Sequence, residues 1–167
     1  MIQVGVIIAS DKGAAGLRED LCAPLIVDMV SSKGYEVTSI KILPDDREAL
    51  SNEMIRLCDT ENIGLILTSG GTGFSLRDVT PEATRAVIER EAPGIAEAIR
   101  YNSLQITPKA MLSRAIAGIR GKTLIVNLPG SPKAVKESLE YIIEPLKHGL
   151  EVLTGVATEC ADPINKK

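Results

Sequence analysis

The sequence predicts an α/β fold with a mostly parallel sheet and one antiparallel element. Three observations carry this prediction. Short apolar runs rich in β-branched residues alternate with longer segments of helical spacing, the pattern of βα units. The runs are continuous rather than strictly alternating, as expected of strands buried by helices. The runs at 115–120 and 123–128 are separated only by Gly121 and Lys122, a turn too tight for a parallel crossover.

The elements follow in order. Residues 3–10 (QVGVIIAS) form a first strand, and SDKGAAGLRED a loop. Residues 20–33 form a helix with Leu21, Leu25, Ile26 and Met29 at helical spacing, stopped by Gly34. A second strand at 36–43 ends at Pro44. A second helix at 46–61 is capped by Asp46 and turns Leu50, Met54, Ile55 and Leu57 inward. Residues 63–68 are a third strand. Thr80 and Pro81 read as cap and first position of a helix reaching Glu91. Pro93-Gly94 precedes a helix to Asn102. After the strand pair, Ser131-Pro132 repeats the cap-then-proline pattern and opens a helix to Tyr141, and Pro145 to Leu153 forms a last helix, with a fraying tail from Gly155. The 167 residues suit one domain over 1–167, without repeat or linker.

Composition narrows the function classes. A formal net charge of -3 leaves no basic stripe for nucleic acid, and 2% aromatics leave no base-stacking platform. No run approaches the roughly 18 apolar residues of a membrane span, and no signal peptide opens the chain, so a cytoplasmic location is expected. Cys22, Cys58 and Cys160 match neither a disulfide framework nor a zinc pattern and read as reduced thiols. His148 is the sole histidine and lies on a C-terminal helix, away from any place where a Ser-His-Asp device would form.

In open parallel sheets, ligands sit outside the carboxyl ends of the strands. Here those ends carry Ser10 and Asp11, then Pro44-Asp45-Asp46, then LTSGGTGFSLRD, then NLPGSPK. Gly70, Gly71 and Gly73 let a ligand approach the backbone, and their N–H groups can form an anion nest to which Ser69 and Thr72 add hydroxyls. As a sharp turn alone, the same residues need no ligand. No Gly-Lys-Ser/Thr follows the loop, so it is not a Walker A loop, and no Gly-x-Gly-x-x-Gly marks a dinucleotide site. Pro129, Gly130, Ser131, Pro132 and Lys133 open a helix whose free N–H groups attract phosphate. Lys133 is a cation misplaced in a first turn, which hints that an anion arrives there. Read as a bare cap, this segment also needs no ligand. Asp45 and Asp78 are two carboxylates at one mouth, enough for Mg²⁺ with substrate phosphates; singly, each reads as a turn residue.

SGGTGFSLRDVTPEAT, APGIAEAIR, TPKAMLSRAIAGIRG and NLPGSPKAV together resemble the molybdopterin adenylyltransferase family, the MogA/MoaB type that includes gephyrin-like G domains. The resemblance runs from residue 10 to about Leu153. It implies a three-layer α/β/α sandwich, a homotrimer, and transfer of AMP from Mg²⁺-ATP to the terminal phosphate of molybdopterin with release of pyrophosphate. By position, Ser69 to Gly73 and Pro129 to Lys133 would hold the pterin phosphate and neighbouring groups. Asp45 and Asp78 match the family's functional aspartates, and Ser10-Asp11 its first loop, where Lys12 stands in place of the frequent Arg. Glu91-Ala92-Pro93-Gly94 matches a segment bordering the site. The resemblance also admits a molybdenum-insertion protein as partner. Other readings of the same residues are a non-catalytic pterin carrier or scaffold module, and a nucleotide pyrophosphatase of the same fold.

Overall fold

The computed structural model describes residues 1–156, and six of its segments pair into one sheet. They are β1 (Ile2–Ala9), β2 (Tyr35–Leu43), β3 (Leu65–Ser69), β4 (Arg90–Glu91), β5 (Ala117–Arg120) and β6 (Thr123–Leu128). Their spatial order is β2-β1-β3-β6-β5-β4. β2, β1, β3 and β6 run parallel, and β5 runs antiparallel to both of its neighbours. The register brings four strand ends level: Ala9 faces Leu43, Ile8 faces Ser69, and Ser69 faces Leu128. The loops that leave those ends therefore start side by side.

The helices are α1 (Asp11–Ala14), α2 (Cys22–Ser31), α3 (Arg47–Asp59), α4 (Thr80–Val87), α5 (Pro93–Leu104) and α6 (Pro132–Thr154), with a 3-10 turn at Pro108–Leu112. Alternate side chains of each strand enter opposite cores. Val4, Val6, Ile8, Leu65, Leu67 and Val126 pack under α2, α5 and α6. Ile7, Ile66 and Ile125 pack under α3 and α4. Each fully buried large side chain contributes roughly 1.5–3 kcal/mol, so the two cores hold the sandwich rigid below its loops. None of the described helices is long and apolar enough to cross a membrane.

Four elements depart from the sequence reading. The helix expected to reach Glu91 stops at Val87, and Arg90–Glu91 is a strand against β5. Gly118 explains the change: a Cβ there would meet the Arg90 carbonyl at 2.8 Å, so its absence lets the chain lie against β5. The two helices expected around Pro145 are one helix of 23 residues. Pro145 removes one donor, but it and Tyr141 are exposed, so the freed carbonyl faces water. The loop after the first strand contains the single turn α1, capped by Ser10, whose Oγ accepts from Gly13 N–H at 3.0 Å. The helix expected from residue 20 begins at Cys22, because the Asp20 carboxylate accepts from Cys22 and Ala23 N–H at 3.0 and 2.9 Å. Gly155, at φ +78°, ends α6, and the rest of the tail, including Cys160, lies outside the described residues. Cys22 and Cys58 are buried and unpaired by any disulfide.

Candidate active site

The glycine loop leaves β3 and is squeezed from three sides. Gly70 has φ +96°, and a Cβ on it would overlap the Ala9 carbonyl at the end of β1. Gly71 has φ +64°, and a Cβ there would overlap the Thr80 hydroxyl and stand 3.1 Å from Asp45 Oδ1. A Cβ on Gly73 would come 2.8 Å from Asp78 Oδ2. The glycines are thus what admits both carboxylates to the loop, and not only what bends it. Gly130 lies against the same turn, 3.2 Å from Gly70 Cα when given a Cβ.

Asp11 and Asp45 lock the ends of β1 and β2. Asp11 N–H donates to Asp45 Oδ2, and Asp45 N–H donates to Asp11 Oδ1, each at 3.0 Å. Arg77 closes over this pair: its Nε and Nη2 donate to the two Asp11 oxygens at 2.9 Å. The guanidinium holds the Asp11 carboxyl below the usual aspartate range. Burial pushes the Asp45 carboxyl upward; the Asp11 N–H opposes this, and the charges of Asp11 and Asp78 reinforce it. Asp78 Oδ2 accepts from Ser75 N–H at 3.0 Å, which folds the loop back on itself.

Ser69 and Ser131 are brought to the same rim. Ser69 is buried, and its hydroxyl donates to the Pro129 carbonyl at 2.8 Å, tying the loop after β3 to the loop after β6. Cys22 Sγ, pushed up in pKa by burial, donates to the Gly130 carbonyl at 3.6 Å. Ser131 caps α6 by accepting from Ala134 N–H at 3.3 Å. Lys133 is exposed and lies 3.8 Å from Glu137 one turn on, so its charge already has a local partner.

The two loops divide two cavities. One, of about 390 Å³, is lined by Ser10, Asp20, Cys22, Ser69, Gly70, Gly130 and Pro132 among others. The second, of about 220 Å³, is lined by Thr72, Arg100, Ser103, Ser113, Pro129 and Glu137 among others. The loops 69–73 and 129–134 thus contribute to the walls of both. Glu91 and Pro93-Gly94 line neither cavity; Glu91 pairs with Arg85 at the β4 edge of the sheet.

Two residues that hold the loops of the site together escape the sequence reading, Arg77 and Arg114. Position 12 is Lys where the family often has Arg, and here the guanidinium that meets the first-loop Asp11 is that of Arg77, which in sequence is only a loop residue. Arg114 N–H donates to the Thr72 carbonyl at 2.9 Å, and its side chain donates to the carbonyls of Gly73 and Asp78 at 2.7 and 2.6 Å while pairing with Glu82. One side chain thus spans both ends of the loop at 73–78. An arginine just before a strand is its only sequence signal.

No group of three or more His, Cys, Asp or Glu able to hold a metal occurs among the described residues. Asp45 and Asp78 beside the glycine loop are two oxygen donors of the kind a small hard cation takes together with phosphate oxygens, short of an all-protein cage.

The model of the family described as "Probable molybdopterin binding domain" matches residues 5–148. A molybdopterin adenylyltransferase of Helicobacter pylori (strain J99) is 39% identical over 158 residues, which cover 92% of this chain and 89% of that one. The molybdopterin biosynthesis enzyme MoaB from Thermus thermophilus has a TM-score of 0.89 at 45% identity, covering 93% of this chain and 98% of that chain. The molybdopterin biosynthesis Mog protein from Mycobacterium ulcerans has a TM-score of 0.86 at 37% identity, covering 92% and 99%.

Proposed function

The chain belongs to the probable molybdopterin binding domain family, and on that premise we propose that it is a molybdopterin adenylyltransferase of molybdenum cofactor biosynthesis. Relatives 37–39% identical over most of the chain carry that name. The reaction we assign uses ATP. An oxygen of the molybdopterin terminal phosphate attacks the α-phosphorus, a new P–O bond forms, the bond from that phosphorus to the β-phosphate oxygen breaks, and pyrophosphate leaves.

The observation that carries this reading is that the loops 69–73 and 129–134 wall two cavities at once. Such a partition suits two bulky substrates that must meet phosphate to phosphate. The nucleophile is ionised at neutral pH, so no histidine base is required. What the reaction needs is positioning and charge neutralisation. The N–H groups of Gly70, Gly71 and Gly73 and the N-terminus of α6 supply donors. Ser69 and Arg114 keep those loops in place. Asp45 and Asp78 would hold Mg²⁺, whose positive charge would offset that of the phosphates.

We also propose a cytoplasmic location and a homotrimer. Tyr101, Leu104, Ile106, Met111 and Leu112 are exposed on α5 and the turn after it, apolar surface that self-association would cover. Pyrophosphate release tests the reaction: it should need molybdopterin, ATP and Mg²⁺ together. Release without the pterin would favour the pyrophosphatase reading, and tight pterin binding without release the carrier reading.

A further inference from the structure

Thr80 is completely buried, and its hydroxyl has no hydrogen-bond partner among the described residues. Burying an unpaired hydroxyl costs free energy, and native structures rarely retain one without a use. The sequence places Thr80 where a helix cap is expected, yet Val79 precedes the helix and Thr80 opens it, so the hydroxyl does no capping. Its backbone is fixed: Thr80 N–H donates to the Gly71 carbonyl at 3.1 Å.

What the hydroxyl faces is the space where a side chain at residue 71 would be. A Cβ on residue 71 would overlap Thr80 Oγ1 and stand 3.1 Å from Asp45 Oδ1. Asp45 Oδ2 is engaged by Asp11 N–H, whereas Oδ1 accepts no hydrogen bond from any described residue. A donor without an acceptor therefore faces an acceptor without a donor, across a gap that exists because residue 71 is glycine.

We infer that Thr80 is a positioning residue for Asp45, and this rests on reading Asp45 as a holder of the divalent cation. In the ligand-bound protein the Thr80 O–H donates to Asp45 Oδ1. With Oδ2 already held by Asp11 N–H, the carboxylate is then fixed at both oxygens. Each oxygen keeps a second lone pair, so the bond orients the carboxylate without using up its capacity for a cation. Thr80 is buried and touches no substrate itself.

The test compares Thr80→Val, Thr80→Ser and Asp45→Asn in the full chain. Valine keeps the shape and removes the hydroxyl; serine restores it. Two quantities are read: the melting temperature of the free protein, and Mn²⁺ affinity in the presence of ATP, followed by electron paramagnetic resonance. The expected result is that Thr80→Val melts at or above the wild-type temperature, binds Mn²⁺ about tenfold more weakly, and is rescued by Thr80→Ser. If Asp45→Asn weakens Mn²⁺ binding while Thr80→Val does not, the positioning role is overturned and the metal reading stands. If Asp45→Asn leaves Mn²⁺ affinity unchanged, the metal reading fails, and the role of Thr80 goes with it. A Thr80→Val protein that melts well below wild type would make the hydroxyl a stability element and also overturn the inference.

Discussion

Asp11 and Asp45, 34 residues apart, each donate a backbone N–H to the other's carboxylate, both at 3.0 Å. The exchange fixes the ends of β1 and β2 against each other and aims Asp45 Oδ1 toward the glycine loop. A carboxylate held at one oxygen in this way is already placed beside the glycine loop before any ligand arrives, a step toward electrostatic preorganisation.

Asp78→Asn tests charge with little change of shape. If Asp78 helps neutralise substrate phosphates through a cation, the variant should lose roughly 10²-fold or more in turnover. Pterin affinity should stay near wild type, because the loops at 69–73 and 129–133 are intact. Steady-state kinetics beside pterin titration checks this. Near-normal turnover with unchanged Mg²⁺ dependence would return Asp78 to a loop role, holding Ser75 N–H and nothing more.

Asp45 makes an opposite prediction for stability. Burial raises its carboxyl above the ordinary range, and the Asp11 and Asp78 charges add to this. The folded state therefore binds the Asp45 proton more tightly than the unfolded chain does. Ionisation costs stability as pH rises from the unfolded value through the raised folded one, and the cost is complete above it. Asp45→Asn should accordingly melt higher than wild type at neutral pH. The gain should shrink as pH falls through that window. Thermal melts across an acid-to-neutral series measure it, and a variant less stable than wild type at neutral pH would refute the assignment.

Gly71→Ala should damage fold and activity together. The position needs φ +64°, and a methyl group would overlap the Thr80 hydroxyl. The conformational term alone costs about 1–2 kcal/mol, before the collision is counted. Denaturant unfolding should show at least that loss, and residual protein should transfer poorly because Asp45 is displaced. Wild-type stability in this variant would mean that the loop has room the structure does not show.

Asn127 is fully buried and bridges three elements: its Nδ2 donates to the Thr68 and Thr84 hydroxyls at 3.0 and 2.9 Å, and its Oδ1 accepts from Ile116 N–H at 3.2 Å. Asn127→Ala leaves Ile116 N–H without that acceptor and creates a cavity, so a loss of about 2 kcal/mol or more is expected in chemical denaturation. A loss below about 0.5 kcal/mol would show that water replaces the amide at no cost.

The alternation of apolar runs and helical segments makes the parallel part of the sheet legible, because period and strand length are local properties. β4 is not legible: two residues pair with β5 only because Gly118 leaves space, and that is a tertiary fact. Pro145 reads as a break because a sequence does not state which side of a helix faces water. At the site, the glycines, hydroxyls and aspartates announce themselves by type and by position after strands. Arg77 and Arg114 do not, since an arginine in a loop reads as solvated until its carbonyl and carboxylate partners are brought within 3 Å by the fold. The same holds for Thr80, whose sequence position suggests a cap and whose buried hydroxyl caps nothing.

Assembly is checked independently of chemistry. Sedimentation equilibrium at micromolar concentration should return three times the 17.8 kDa chain mass. A single-chain mass would remove the trimer from the proposal and leave the exposed apolar residues of α5 to another role.

The most direct test of the central claim is mass spectrometry of the product made by purified protein from molybdopterin, ATP and Mg²⁺. The predicted result is molybdopterin carrying one added AMP, formed with equimolar pyrophosphate and absent when any of the three components is withheld. Unmodified molybdopterin recovered alongside intact ATP, from protein shown to bind both, would contradict it.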